Sequence, residues 1–175
     1  MDGVYDYRNC SSLFGYAAQV HARSGGVCQL CGAGSSQIDF DLWRQLTVEH
    51  LIGEGQGGYP RAIKVAVEAR FPDLSVEDRL AIEKEIDNAN TVTACSFCNS
   101  TTSRTRFRLN MGDLLLQVPG DAGQVLAHVR IVLAEVLGSK REMVAWKLDS
   151  VRRAYFEMVQ PELRARRSTP PPAGS

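Results

Sequence analysis

The sequence predicts a small α+β domain whose core is stapled by a metal-binding cysteine clamp and flanked by helices at the N-terminus, in an internal insertion and at the C-terminus. Three observations carry that prediction. Two Cys-x-x-Cys pairs, Cys28/Cys31 and Cys95/Cys98, stand at the ends of the core. Between them, apolar residues with a period near two lead into an acid and a histidine, Glu49 and His50. Around and inside this unit lie segments whose apolar residues recur at helical spacing.

The chain's 175 residues, 44% of them hydrophobic, suffice for one core. Residues 1–167 are therefore expected to form a single domain, with its core at 26–108, a helical insertion at 59–87 and C-terminal helices over 122–160. The Pro-rich stretch 168–175 is expected to be disordered. Lys plus Arg equals Asp plus Glu at 20 each, which excludes a polybasic coat and leaves a nucleic-acid partner to be held by a local patch. No run approaches the roughly 18 to 20 apolar residues needed to span a bilayer. The acidic N-terminus lacks a signal peptide's apolar segment. The expectation is a soluble, cytoplasmic protein with no membrane partner and with reduced thiols.

In a reducing compartment, two Cys-x-x-Cys turns read as a tetrahedral zinc site of four thiolates, Cys28, Cys31, Cys95 and Cys98, because each tight turn aims two sulfurs at one ion. Either pair alone would also suit a redox dithiol; two pairs, with Gly26 before the first and Gly32 after it, favour metal. Residues 32 to 94 lie between the pairs, so a substantial element is looped out. The fifth cysteine, Cys10, reads as a small buried apolar side chain.

Leu13, Tyr16, Ala17 and Val20 have helical spacing, with Ser11 or Ser12 as cap and Gly25 as stop. His21, on the flank of this helix, reads as a core or solvated residue. Phe40, Leu42, Leu46 and Val48 then alternate, predicting a strand over at least the second half of residues 38–52, with Glu49 and His50 at its exit. In the insertion, Ala62, Ile63, Ala66, Val67 and Phe71 make one helical stripe ending at Pro72, and Ser75 to Asp78 resembles a capping box for a second helix through Leu80, Ile82 and Ile86. Residues 88–95 read as a turn and a short strand, and 109–119 as a strand or packing arm. Val125 to Leu137 is expected to be a helix stopped by Gly138, with His128 structural, and Ser139 to Glu142 a capping box opening a last helix that ends before Pro161. Residues 139 to 167 hold eight Lys and Arg against four Asp and Glu, a face that suits either solvent or a DNA backbone.

The chemistry concentrates at Glu49-His50, followed by the glycine-rich loop Gly53-Glu54-Gly55-Gln56-Gly57-Gly58. A carboxylate suits a hard cation, and an imidazole titrates near neutral pH and accepts a proton; together they are the halves of metal-assisted hydrolysis. After the second cysteine pair, Arg104, Arg106 and Arg108 alternate with no acid among them. They suit phosphate contact, or else a solvated helix end.

Taken in order, Cys-x-x-Cys-Gly, acid-His-apolar-apolar with Gly57-Gly58 beyond it, and Asn90-x-Val-x-x-Cys-x-x-Cys-Asn99 resemble the HNH endonucleases of the ββα-metal fold over residues 28 to 104. The resemblance implies that His50 is the general base activating water and Glu49 a ligand of the divalent metal, Mg²⁺ or Mn²⁺. It implies that Asn90 braces the loop through side-chain to backbone hydrogen bonds and that Asn99 is the second metal ligand. It places the four cysteines in the subset clamped by a structural Zn²⁺. The loop carries Gly53 and Glu54 where a proline and a basic residue are usual.

The function expected is metal-dependent hydrolysis of DNA, as in restriction or phage defence, with RNA or structured DNA as alternative substrates and a homodimer as a route to double-strand cutting. The alternative from another class is a non-catalytic zinc-ribbon module that binds nucleic acid or protein, with Glu49 and His50 merely structural.

Overall fold

The computed structural model describes residues 16 to 103 and 108 to 168. In chain order its elements are α1 (Tyr16–Arg23), α2 (Phe40–Trp43), β1 (Leu46–His50), α3 (Pro60–Arg70), α4 (Val76–Asn90), β2 (Thr91–Cys95), α5 (Ser96–Thr102), α6 (Met111–Gln117), α7 (Ala122–Ala154) and α8 (Gln160–Ser168). A 3-10 turn lies at Glu54–Gln56, and a π turn at Tyr155–Val159 joins α7 to α8. The architecture is mixed: many helices around a two-stranded sheet.

β1 and β2 pair antiparallel, with Leu46 opposite Cys95 and His50 opposite Thr91. β-Branched residues on both strands, Thr47 and Val48 against Thr91, Val92 and Thr93, favour the extended backbone. The ladder runs one step further, where the Leu51 N–H donates to the Asn90 carbonyl at 2.8 Å. Only the second half of the predicted strand is extended. Asp39 accepts from the Leu42 N–H at 2.8 Å, and this cap turns Phe40–Trp43 into a single helical turn instead.

The insertion folds as the two helices expected. Pro60 starts α3 at the position where a missing N–H costs nothing. Ser75 caps α4 by accepting from the Asp78 N–H at 3.0 Å. α4 then runs to Asn90 and enters β2 directly, so the segment expected to be a turn is the helix's last stretch. Residues 109–119 contain α6 and no strand; Asn110 caps it by accepting from the Gly112 N–H at 2.8 Å.

The largest departure lies at Gly138. No helix stops there: α7 runs unbroken for 33 residues, roughly 50 Å at 1.5 Å per residue. Its capping box is Asp121 with Gln124, and Ser139 is an exposed residue in mid-helix. A helical glycine costs only about 1 kcal/mol against alanine. The apolar stripe on both sides of Gly138, Val125, Val129, Leu133 and Val136 before it and Val144 after it, is buried and outweighs that penalty. By length and composition alone, the run Ala122–Arg167 is long and apolar enough to cross a membrane, which the sequence reading did not anticipate; its buried stripe packs on the rest of the chain.

Two apolar clusters result. The larger joins Ile52, Ile63, Val67, Ile86, Met111, Leu115, Val125, Val129 and Leu133, uniting α3, α4, α6 and the first half of α7. The smaller gathers Cys28, Leu30, Ala94, Cys98 and Val144. α7 spans both, and the sheet's exit lies between them. His21 is buried, with Nδ1 3.1 Å from the Thr93 hydroxyl, while His128 is exposed. Cys10 and the residues expected to open the first helix, Ser11, Ser12 and Leu13, lie outside the described residues, as does 169–175.

Candidate functional site

The cysteine cluster is built by two turns brought together by β2. The first knuckle folds because the Gly32 N–H donates to the Cys28 carbonyl and the Cys28 N–H to the Ala33 carbonyl, both at 2.8 Å, with Gly32 in the left-handed region at φ 78°. The Gln29 N–H donates to the Thr93 carbonyl at 2.8 Å, and the Gln29 side-chain oxygen accepts from the Thr93 N–H at 3.1 Å. These bonds hold the knuckle against the strand that ends in Cys95. The second pair straddles the junction of β2 and α5, and the Cys95 N–H points at Cys28 Sγ, 3.3 Å away.

All four sulfurs lie within 4.8 Å of one another, and Cys31 Sγ and Cys95 Sγ are 4.0 Å apart. A zinc ion with bonds of about 2.3 Å in a tetrahedron needs sulfurs about 3.8 Å apart. The donor set fits, and the four cysteines can hold a metal such as zinc. Crowding already splits their acidities: a hydrogen bond from the Cys98 thiol, helped by backbone N–H groups, pulls Cys28 down to about 4, while Cys98 is pushed up by the same interaction and by burial.

At the end of the ladder away from Cys95, β1 delivers Glu49 and His50 to a cavity of about 380 Å³ that is also lined by Gly53, Glu54, Gln56, Tyr59, Asn99, Thr102 and Lys140. Glu49 is buried, 5% exposed. Its Oε1 accepts from the Thr102 hydroxyl at 3.0 Å and from the Lys140 ammonium, with which it forms an ion pair. Lys140, 3% exposed, also donates to the His50 carbonyl at 2.9 Å. His50 is half-buried, and its ring stacks on Tyr59 with centroids 4.2 Å apart. Burial lowers its pKa below the ordinary value of 6.5, against smaller upward pulls from Asp87 and Glu49, so near neutral pH the ring is uncharged and can take a proton.

Asn99, on the first turns of α5, donates from Nδ2 to the Thr47 hydroxyl at 2.9 Å and more weakly to the Val48 carbonyl at 3.4 Å. Its amide nitrogen is thus tied to β1, and the side chain lines the cavity. Asn90, fully buried, sits behind the loop: its Oδ1 accepts from the Ile52 N–H at 2.8 Å, and its Nδ2 donates to the Ile52 carbonyl at 3.0 Å and the Gly58 carbonyl at 2.8 Å. The close fit requires glycine at 58, where a Cβ would fall 1.8 Å from the Ile52 oxygen and 2.9 Å from Asn90 Nδ2.

Glu49, His50 and Asn99 therefore meet at one cavity, Asn90 braces the loop beside it, and the cysteines form a separate cluster. Arg108 is exposed on the segment after α5; Arg104 and Arg106 lie outside the described residues. Glu54 is exposed on the cavity's rim. Sequence reasoning missed Lys140, Thr102 and Tyr59. Lys140 carried a signal, since it falls in register with Val136 and Val144 on the apolar stripe of α7; Thr102 and Tyr59 carried none. Set against protein-family models, curated proteins and solved structures, the chain matches none of them.

Proposed function

We propose that this chain is a metal-dependent endonuclease of the HNH type, with a zinc-clamped ββα-metal core, that hydrolyses DNA phosphodiester bonds in a thiol-reducing compartment such as the cytoplasm. The observation that carries the reading is the meeting, on one open cavity, of Glu49 and His50 from β1 with Asn99 from α5. In this reading Cys28, Cys31, Cys95 and Cys98 hold Zn²⁺, and Glu49 and Asn99 hold Mg²⁺ or Mn²⁺.

His50, kept neutral by burial, takes the proton of a water molecule as its oxygen bonds to phosphorus and the bond from phosphorus to a deoxyribose oxygen breaks. The Tyr59 ring fixes the plane of the imidazole. Asn90 fixes the loop that follows it, so the base does not drift from the phosphate path. The divalent ion supplies charge neutralisation on the phosphate and the leaving oxygen. Arg108, together with Arg104 and Arg106 in the same run, offers phosphate contacts along the strand being cut.

A second reading has its own observation. Glu49 is already buried and paired with Lys140, which also suits a non-catalytic zinc module in which this pair is structural. Incubating zinc-loaded protein with supercoiled plasmid and with RNA, in Mg²⁺, in Mn²⁺ and without divalent metal, separates the two. The nuclease reading expects nicked or linear DNA in the presence of metal only. Intact plasmid and intact RNA under all conditions would favour the binding module, and RNA cut in preference to DNA would change the substrate.

A further inference from the structure

We infer that Lys140 is a positioning residue of this cavity that competes with a divalent cation for Glu49, so that α7 sets how tightly the site holds metal. The inference rests on the reading of Glu49 as a metal ligand.

The first support is where the lysine sits. The buried positions of α7 are Val125, Val129, Leu133, Val136, Lys140 and Val144, spaced three or four apart on one face. A leucine at 140 would continue this stripe and bury without cost, whereas an ammonium must be stripped of water. Buried ion pairs add little net stability over an apolar pair of the same volume, so stability alone does not account for lysine here.

The second support is what the ammonium touches. It donates to Glu49 Oε1, the oxygen that also accepts from Thr102, and to the main-chain carbonyl of His50 at 2.9 Å. One cation thus fixes the side chain of one proposed functional residue and the backbone of the next. Glu49 and Lys140 both line the cavity, so the pair faces the space a ligand enters.

The third support is charge. Among the described residues, the carboxylates and the ammonium that line the cavity are those of Glu49, Glu54 and Lys140, two against one. Two carboxylates on one cavity attract a further cation. That cation meets the ammonium at the same carboxylate, and two positive charges a few ångströms apart repel. Metal affinity is therefore set below what the oxygen donors alone would give. When metal takes Glu49, the ammonium is released at the cavity wall, beside the path of an incoming phosphate.

The test uses the full chain loaded with zinc. Mn²⁺ affinity is measured by titration calorimetry for wild type, Lys140→Gln, which keeps an N–H donor without the charge, and Lys140→Arg. Lys140→Gln is expected to bind Mn²⁺ about tenfold more tightly, and Lys140→Arg within about twofold of wild type. In parallel, acetylation of lysines in the wild type is followed by peptide mass spectrometry; Lys140 is expected to react slowly without Mn²⁺ and faster with it. Should Lys140→Gln fail to fold, this second measurement decides. Equal or weaker Mn²⁺ binding by folded Lys140→Gln, or Lys140 acetylation indifferent to Mn²⁺, overturns the competition while leaving the nuclease reading in place. A wild type that binds no Mn²⁺ overturns both the competition and the metal site it depends on.

Discussion

Lys140 of α7 and Glu49 of β1, 91 residues apart in the chain, form a buried ion pair at the wall of the cavity that also receives His50 and Asn99. This contact ties the longest helix described to the two-stranded sheet. It lies on α7 between Val136, in the large apolar cluster, and Val144, in the cysteine cluster. Both partners are desolvated, so removing either one alone strands a charge.

Glu49→Gln or Lys140→Met is accordingly expected to lower stability by about 3 to 5 kcal/mol, whereas the two substitutions together recover most of that loss. Urea unfolding of the four proteins reads the coupling. Additive losses in the double variant would mean that the two side chains do not act as a pair.

Asn90 holds the glycine loop by three hydrogen bonds from one buried amide. Asn90→Ala is expected to cost about 3 kcal/mol. Asn90→Asp should cost at least as much, because a carboxylate would face the Ile52 and Gly58 carbonyls. Gly58→Ala forces its Cβ into the Ile52 backbone and should loosen the same loop, seen as faster amide hydrogen exchange from 52 to 58. Unchanged exchange in all three variants would show the loop to be held by something else.

Metal removal should act on the fold as well as on the chemistry. Elemental analysis is expected to find one zinc per chain. Stripping it with a strong chelator, or replacing Cys95 by Ser, should destabilise the protein by roughly 5 kcal/mol or more. A chain that purifies without zinc and unfolds at the same denaturant concentration with or without chelator contradicts the clamp.

His21 gives a pH dependence of stability. Burial lowers its pKa from 6.5, so between the folded value and 6.5 the unfolded chain carries a proton that the folded chain does not. Stability is then complete above pH 6.5 and falls as pH drops through that window toward the folded value. His50 shifts in the same direction. Urea midpoints from pH 8 to 5 should decline, and decline less in His21→Gln. An identical slope in the variant would remove His21 from the explanation.

Much of this architecture was legible locally. The two cysteine turns, the second half of the strand, the Ser75 cap and the apolar stripe of α3 are encoded by short-range spacing, and the structure follows them. Failures came where a local signal met a tertiary one. Gly138 reads as a helix stop, and Ser139 to Glu142 as a new start, only if the chain around them is exposed; the core beneath Val136 and Val144 overrides both. Splitting the helix there hid the fact that Lys140 continues its buried stripe. Similarly, Asn88 to Asn90 reads as a turn by composition, yet Ile82 and Ile86 bury against the core and carry α4 through it. Glu49, His50 and Asn99 could be singled out from sequence order, but no short-range pattern indicates that a lysine 91 residues away closes on Glu49.

The central claim is that His50 accepts a proton during phosphodiester hydrolysis at this cavity. Its most direct test is the single-turnover rate of DNA cleavage in Mg²⁺ or Mn²⁺ by wild type and by His50→Ala, both with full zinc content. A loss of about 100-fold or more in the variant is the predicted result. Equal rates in the two proteins would contradict it.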